Sequence, residues 1–425
     1  MGLLLAVIIS SMALVAQGAK AEEEEADPAG SGPLFDEFMG ALKGSKPILD
    51  LNLRWEYAKI DTFTTSQAVT VRTRFGLATG EFYGFSGLLE GVNMSSPKPS
   101  AYYDGVEPQT SQSIVADPER TDVNRAWLKY EDPDCAGLAL KGGRQRIILD
   151  DQRWVGNVAW RQNEQTFDSG RIQSDFGVEN LLAMYAYSWE VNRIWADDPD
   201  AAPANKDFDP RSHFFHVGYE VGKPLTAVAF AYLIDPDDSA VDVFGSQTYG
   251  ARFTGALPLG EKVSFPYQLS YAHQSDWGDN PVSYDADYYF VQGGFAFTDV
   301  GGVHVGFEVL GSDRDARVVT PFATAHKFNG FADAFLDNGG VRGLRDLFVS
   351  LSPAIPIDGV KLSLIFHQFW DDQGGDNLGQ EYDFVATWAL NEYISFLWKA
   401  AYFDGGKNRS PGSRTRNMVQ TIFKF

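Results

Sequence analysis

Eight arginines in this chain are spaced for a shared task. Arg72 and Arg74 stand two apart, as do Arg144 and Arg146. In an extended strand residues two apart share a face. Val71, Thr73, Phe75 and Leu77 form the opposite, apolar face beside the first pair, and Arg54 alternates with Leu53 and Trp55 in the same way. Arg125, Arg161 and Arg252 complete the set, Arg125 in a register the sequence leaves open. Gly142-Gly143 offers a bulge that would shift Arg144 and Arg146. A guanidinium grips carboxylate groups in pairs, and a wall of one sign is how a pore attracts ions of the other. Glu308, Asp346, Glu381 and Asp383 read as inward acids on later strands, across from the basic side. For any single arginine a salt bridge is the plainer reading; the cluster is what points to a basic wall.

Little else suggests chemistry. Six histidines are present, but no serine motif accompanies them, so no catalytic residue and no enzyme is expected. Cys135 is the lone cysteine, which rules out an intrachain disulfide and a cysteine-based metal site. Asp235-Pro-Asp-Asp238 lacks the ligand spacing of a calcium loop, so neither metal nor cofactor is expected. A formal charge of −22 over 425 residues, much of it in loops, argues against a nucleic-acid partner.

The elements that would position these arginines are strands. From residue 48 to the end, segments of about ten residues alternate apolar with polar. The candidate strands are 48–58, 68–79, 82–92, 122–131, 138–148, 164–173, 178–190, 211–221, 224–234, 247–256, 262–274, 285–298, 302–312, 344–352, 359–369, 379–390, 393–403 and 415–425. Alternation alone also fits a soluble sandwich. The connections decide: they alternate strictly between short and long, the pattern of periplasmic turns and extracellular loops. The fold expected is all-β, a transmembrane antiparallel up-and-down barrel of eighteen strands, over 48–425. Aromatics near strand ends, such as Trp55 with Tyr57 and Trp398 with Tyr402, suit interfacial girdles. The final strand ends in Phe425, the closing signature of such barrels. Ahead of the barrel, the apolar run 3–16 and Ala19-Lys20-Ala21 read as a signal peptide over 1–21, cleaved after Ala21. Residues 22–47 read as a periplasmic lead-in with a short helix near 34–42.

Several stretches carry a resemblance. They are ALKGSKPILDLNLRWEY at 41–57, VRTRFGL at 71–77, DPE at 117–119, GRQRIILDDQRWVGN at 143–157 running into WRQNEQTFD at 160–168, and HKFNG at 326–330 with Ala332-Asp333. Together they resemble the alginate-export family of outer-membrane barrels. The resemblance implies an eighteen-stranded monomeric barrel in the outer membrane of a Gram-negative bacterium. It also implies export of an anionic polysaccharide through a basic constriction.

The reading is therefore a passive channel for an anionic polysaccharide or other anionic solute, with an Arg-lined lumen. Two alternatives stay open. One is a general diffusion porin with a mixed-charge lumen. The other is a structural or adhesion barrel whose loops 93–121 and 313–343 plug the pore. The expected partners are outer-membrane lipid and lipopolysaccharide, the barrel-assembly machinery through Phe425, and a periplasmic export partner.

Overall fold

The computed structural model describes residues 32–425 except 107–110, 196–197, 199, 203–205, 208 and 406–410. The expected signal peptide and its cleavage point lie outside the described residues. A helix α1 (Pro33–Lys43) opens the described chain, with proline in its first turn and Gly44 ending it. Phe38 meets Phe82 edge-on at 5.8 Å, and the Gly80 amide donates to the carbonyl of Ala41, so α1 docks on the turn 79–84.

Eighteen strands follow: β1 (Lys46–Ile60), β2 (Ser66–Ala78), β3 (Phe85–Ser95), β4 (Arg120–Asp132), β5 (Leu138–Gln145), β6 (Thr166–Ser174), β7 (Leu181–Asn192), β8 (Ser212–Gly222), β9 (Leu225–Ile234), β10 (Ser246–Pro258), β11 (Val263–Asp276), β12 (Asp285–Phe297), β13 (Gly301–Leu310), β14 (Leu344–Pro353), β15 (Val360–Trp370), β16 (Asn377–Ala389), β17 (Ile394–Asp404) and β18 (Arg414–Lys424). Each pairs antiparallel with the next, and β1 pairs with β18 from Asp50 opposite Lys424 to Ile60 opposite Arg414. The sheet is thus closed, which leaves no unpaired edge in lipid.

The outward face is an apolar band. Leu53, Phe75, Leu89, Phe215, Val291, Val305 and Leu351 are exposed, while Asn52, Arg54, Glu56, Arg72 and Arg74 on the alternate positions are buried. At one end the turns are short: 79–84, 133–137, 175–180, 223–224, 259–262, 298–300, 354–359 and 390–393. At the other end lie 61–65, 96–119, 146–165, 193–211, 235–245, 277–284, 311–343, 371–376 and 405–413. The alternation is not strict, because 61–65 and 371–376 are no longer than the longest turns opposite. The second is tightened by the Asp371 carboxylate, which accepts the Gly374 and Gly375 amides at 2.6 and 2.9 Å.

The interior is not uniformly polar, as a simple inversion of a soluble pattern would have it. Phe214, Phe230, Tyr232, Ala272 and Tyr288 point inward from β8, β9, β11 and β12 and form a buried cluster with Ile147, Val155, Phe322 and Phe335. Those last four come from the long connections. Part of the barrel wall therefore acts as a core that holds loops.

A plugged lumen as the candidate functional site

The three longest connections, 96–119, 146–165 and 311–343, fold into the barrel and meet there. Each expected arginine is matched by a carboxylate. Arg54 reaches Asp117 of the 96–119 connection at 3.2 Å, Gln420 of β18 at 2.9 Å, and the Trp160 carbonyl. Arg72 pairs with Asp50 at 2.5 Å. Arg74 and Arg146 share Glu164, at 3.4 and 2.5 Å. Arg161 binds Glu56 at 3.1 Å and Asp333 at 3.5 Å. Arg252 holds Asp150 and Asp151 at 3.4 and 3.3 Å. For Arg125, a bulge in the β3–β4 ladder sets the register, and Arg125 grips Glu90 at 2.6 Å. Arg144 and Arg146 do not act together as their spacing suggests. Gly143 has a φ of +113°, and β5 ends at Gln145. Arg144 pairs with Asp168 at 2.9 Å, in a different cluster from Arg146.

The four later acids face inward and are taken up by the 311–343 connection. Glu308 accepts from Asn329 at 2.7 Å and from the Tyr288 hydroxyl at 2.8 Å, and pairs with Arg153 at 2.9 Å. Asp346 accepts from Asn329 at 3.1 Å and contacts His367 at 2.9 Å. The amides of Ala332 and Phe331 donate to Glu381 at 2.6 Å and Asp383 at 3.2 Å. Gly330 makes this approach feasible: its φ is +85°, and a Cβ there would fall 2.3 Å from the Glu381 carboxyl carbon. The acidic side is a mooring for a loop, built from charge-assisted hydrogen bonds.

Two cavities remain on either side of the plug. One of about 350 Å³ faces the long connections and is lined by Arg161, Ile194, Trp195, Phe244 and Arg416. The other, about 410 Å³, faces the short turns and is lined by Asn157, Val385, Thr387, Leu397, Lys327 and Lys399. A waist of about 10 Å³ lies between Glu56, Phe331, Lys399 and Arg416. Trp160 and His326 line all three spaces. Their rings stack, with centroids 3.3 Å apart and 11° between planes.

His326 Nδ1 lies 2.6 Å from Asp333 Oδ1, and Lys399 Nζ lies 3.1 Å from His326 Nε2. Burial pushes the His326 imidazole down to about 3; Lys399 and Arg161 add to the shift, and Asp333 opposes it. The ring is therefore neutral near pH 7, donating from Nδ1 to Asp333 and accepting at Nε2 from the Lys399 ammonium. Burial works against ionisation of Glu164, yet Arg74 and Arg146 hold its carboxyl down at about 2.

The family model for alginate export matches residues 98–301. That match spans just under half of the chain, and together with the closed eighteen-stranded sheet it makes the chain similar to outer-membrane barrels of the alginate-export type. Solved structures agree on the fold. The Acinetobacter baumannii porin OccAB2 has a TM-score of 0.68 at 14% identity, covering 89% of this chain and 98% of that one. Pseudomonas aeruginosa OccK8 (OprE) has a TM-score of 0.67 at 12% identity, covering 90% and 98%. OccK5 (OpdH) of the same organism has a TM-score of 0.64 at 12% identity, covering 91% and 99%. A search of curated proteins finds no match. The family match and the closed barrel together support an outer-membrane channel.

Sequence periodicity does not reveal Glu56, Asp117, Trp160, His326, Asp333, Lys399 or Arg416 as parts of this barrel's constriction. A signal did exist for four of them. Asp117, Trp160, His326 and Asp333 fall in the stretches that carry the family resemblance, in connections where no strand period accounts for them. Lys399 and Arg416 sit on strands like any other alternating residue.

Proposed function

We propose that this barrel is a passive pathway for anionic solutes, an anionic polysaccharide foremost, moving from the short-turn end outward. The observation that carries the reading is the lining of the inner cavity: its charged residues are Lys327 and Lys399, with no carboxylate among them. In a narrow space with low-dielectric walls, such local charge outweighs loop carboxylates screened within roughly 8 Å at physiological salt. Past the waist the lining is of mixed charge, with Arg161 and Arg416 beside Asp333 and Asp337. Of the remaining arginines of the expected wall, Arg54, Arg74, Arg146 and Arg252 pair with acids of the inserted loops, while Arg72, Arg125 and Arg144 brace neighbouring strands. The family description, alginate export, supports the same substrate class and direction.

A second reading is favoured by one observation. Arg54, Arg72 and Arg74 are each paired with an acid, as a mixed-charge diffusion porin would have them. Reversal potentials across planar bilayers in a salt gradient separate the two. Anion preference that falls in Lys327→Gln/Lys399→Gln supports the first. Cation preference, or none, supports the second.

A further inference from the structure

The three interior spaces meet at one place, and that place is a closed contact. The 350 and 410 Å³ cavities share two lining residues, Trp160 and His326, and the rings of these two are stacked. The two rings come from separate connections, 146–165 and 311–343, so they can part without breaking the sheet. His326 is held by two bonds, one from each side. Asp333, seven residues on in the same connection, accepts the hydrogen bond from Nδ1. Lys399 of β17 reaches Nε2 from the wall.

Lys399 differs from every other cation at the waist. It lines both the waist and the inner cavity. Its ammonium sits 4.1 Å from the Phe331 ring centroid, and its hydrogen-bond partner is a neutral ring nitrogen. By contrast, Arg161 and Arg416 are occupied by Glu56, at 3.1 and 2.7 Å. The Lys399 ammonium thus bonds a neutral ring nitrogen, where Arg161 and Arg416 each have a carboxylate counter-charge.

We propose that the Trp160–His326 stack is a gate, and that a carboxylate-bearing solute entering from the short-turn side opens it by taking Lys399 away from His326. The inference rests on the anionic-solute reading above. The Lys399 ammonium leaves His326 Nε2 for the solute carboxylate, and Nε2 is left without a donor. The 326–333 turn then keeps only its Asp333 bond at that ring, and His326 slides off Trp160. The vacated indole face is available to stack on a sugar ring. The solute shifts the gate by binding the Lys399 ammonium more tightly in the open form than in the closed one, which is the differential affinity a population shift requires. A neutral sugar has no group to compete for Lys399 and leaves the gate closed.

Single-channel recording in planar bilayers tests this with oligogalacturonate as the probe and maltooligosaccharide of equal length as the neutral control. Oligogalacturonate added on the short-turn side of the unmodified barrel should raise open probability about tenfold, the response to a tenfold preference for the open state. Maltooligosaccharide should not. Lys399→Gln keeps a donor for Nε2 but no charge, and should lose the response, while Lys399→Arg should retain it. His326→Ala should be open without solute, and its heat-modifiable mobility on gels reports whether the barrel still folds. The proposal is overturned if Lys399→Gln responds as the unmodified barrel does, or if the neutral sugar opens the gate equally. Reversal potentials in salt alone keep the two ideas apart. Anion selectivity without a response to oligogalacturonate ends the gate proposal only; absence of anion selectivity ends the reading beneath it.

Discussion

Arg153 of the 146–165 connection and Glu308 of β13 meet at 2.9 Å with both side chains almost wholly buried. The pair ties one inserted loop to the far wall. Asn329 bonds to Arg153 at 3.0 Å and to Glu308 at 2.7 Å, adding the 311–343 connection to the same node. Removing one member leaves the other charged and unpaired in the interior, which costs about 3–5 kcal/mol. Arg153→Ala should therefore lower stability in detergent by about that amount and raise single-channel conductance as the plug loosens. Replacing both residues with apolar ones of similar size, Arg153→Met with Glu308→Leu, should restore most of the stability. Equal destabilisation by the single and double variants would show that the pair is not the tie.

Gly330→Ala tests the mooring at β16. The alanine meets the Glu381 carboxylate and also a φ of +85°. The loop should lift, and open conductance should rise. Adding Glu381→Ala removes the collision but leaves the backbone penalty of roughly 1–2 kcal/mol, so closure should return only in part. Unchanged conductance in Gly330→Ala would count against the mooring.

Acid should weaken the closed state in two stages. His326 is depressed to about 3 in the folded loop, below the usual histidine value of roughly 6.5. A group with a depressed folded pKa contributes its stability above the unfolded value and loses it as pH falls. The groups facing His326 are Asp333 from its own loop, Arg161 beside Trp160, Lys399 from β17, and Glu56 and Arg416 across the waist. A proton on Nε2 would oppose the Lys399 ammonium. The closed-to-open ratio should fall by up to about tenfold per unit below pH 6.5. Below about 4.5, protonation of Glu164 should add a second fall, since its carboxyl is held at about 2 in the closed form. Bilayer recordings between pH 7.5 and 4 measure both stages, and His326→Gln should remove the first. A flat profile in the unmodified barrel contradicts the assignment.

Topology has a native probe. Cys135 is exposed in the turn 133–137, at the short-turn end. A bulky maleimide should label it only after the outer membrane is permeabilised. A cysteine placed at Asp279, exposed in the 277–284 connection, should label on intact cells. The opposite pattern would invert the orientation.

Much of the fold was legible because side chains on a strand repeat every two residues. Each expected segment corresponds to an observed strand, with ends differing by a few residues. Overruns reach three residues; at β5, expected to 148 and ending at Gln145, the cause is that Ile147 turns inward to pack in the buried cluster. Apolar composition at Ile147-Ile148 reads as strand in a one-dimensional pattern. The constriction was less legible for a related reason. Period reports which way a strand residue points, and so found Arg54, Arg74, Glu308 and Asp383. It says nothing about Trp160 meeting His326, since neither lies on a strand. Nor does it say which acid each arginine meets once the loops fold inward.

The closure of β1 against β18 also bears on how the chain is assembled. Arg416 and Glu56 lie 360 positions apart and join at 2.7 Å; Arg54 and Gln420 lie 366 apart and join across the same seam. Contacts of such separation form late. Until the last strand zips to the first, Glu56 and Arg54 face a lumen that lacks half their partners, and Arg161 and Asp333 have an incomplete node to enter. The inserted loops therefore find their full set of counter-charges only in a finished cylinder. A chain halted one strand short would keep an open edge and a wet, unmatched interior at the same time. The inserted loops and the β1–β18 seam thus share one set of charged contacts.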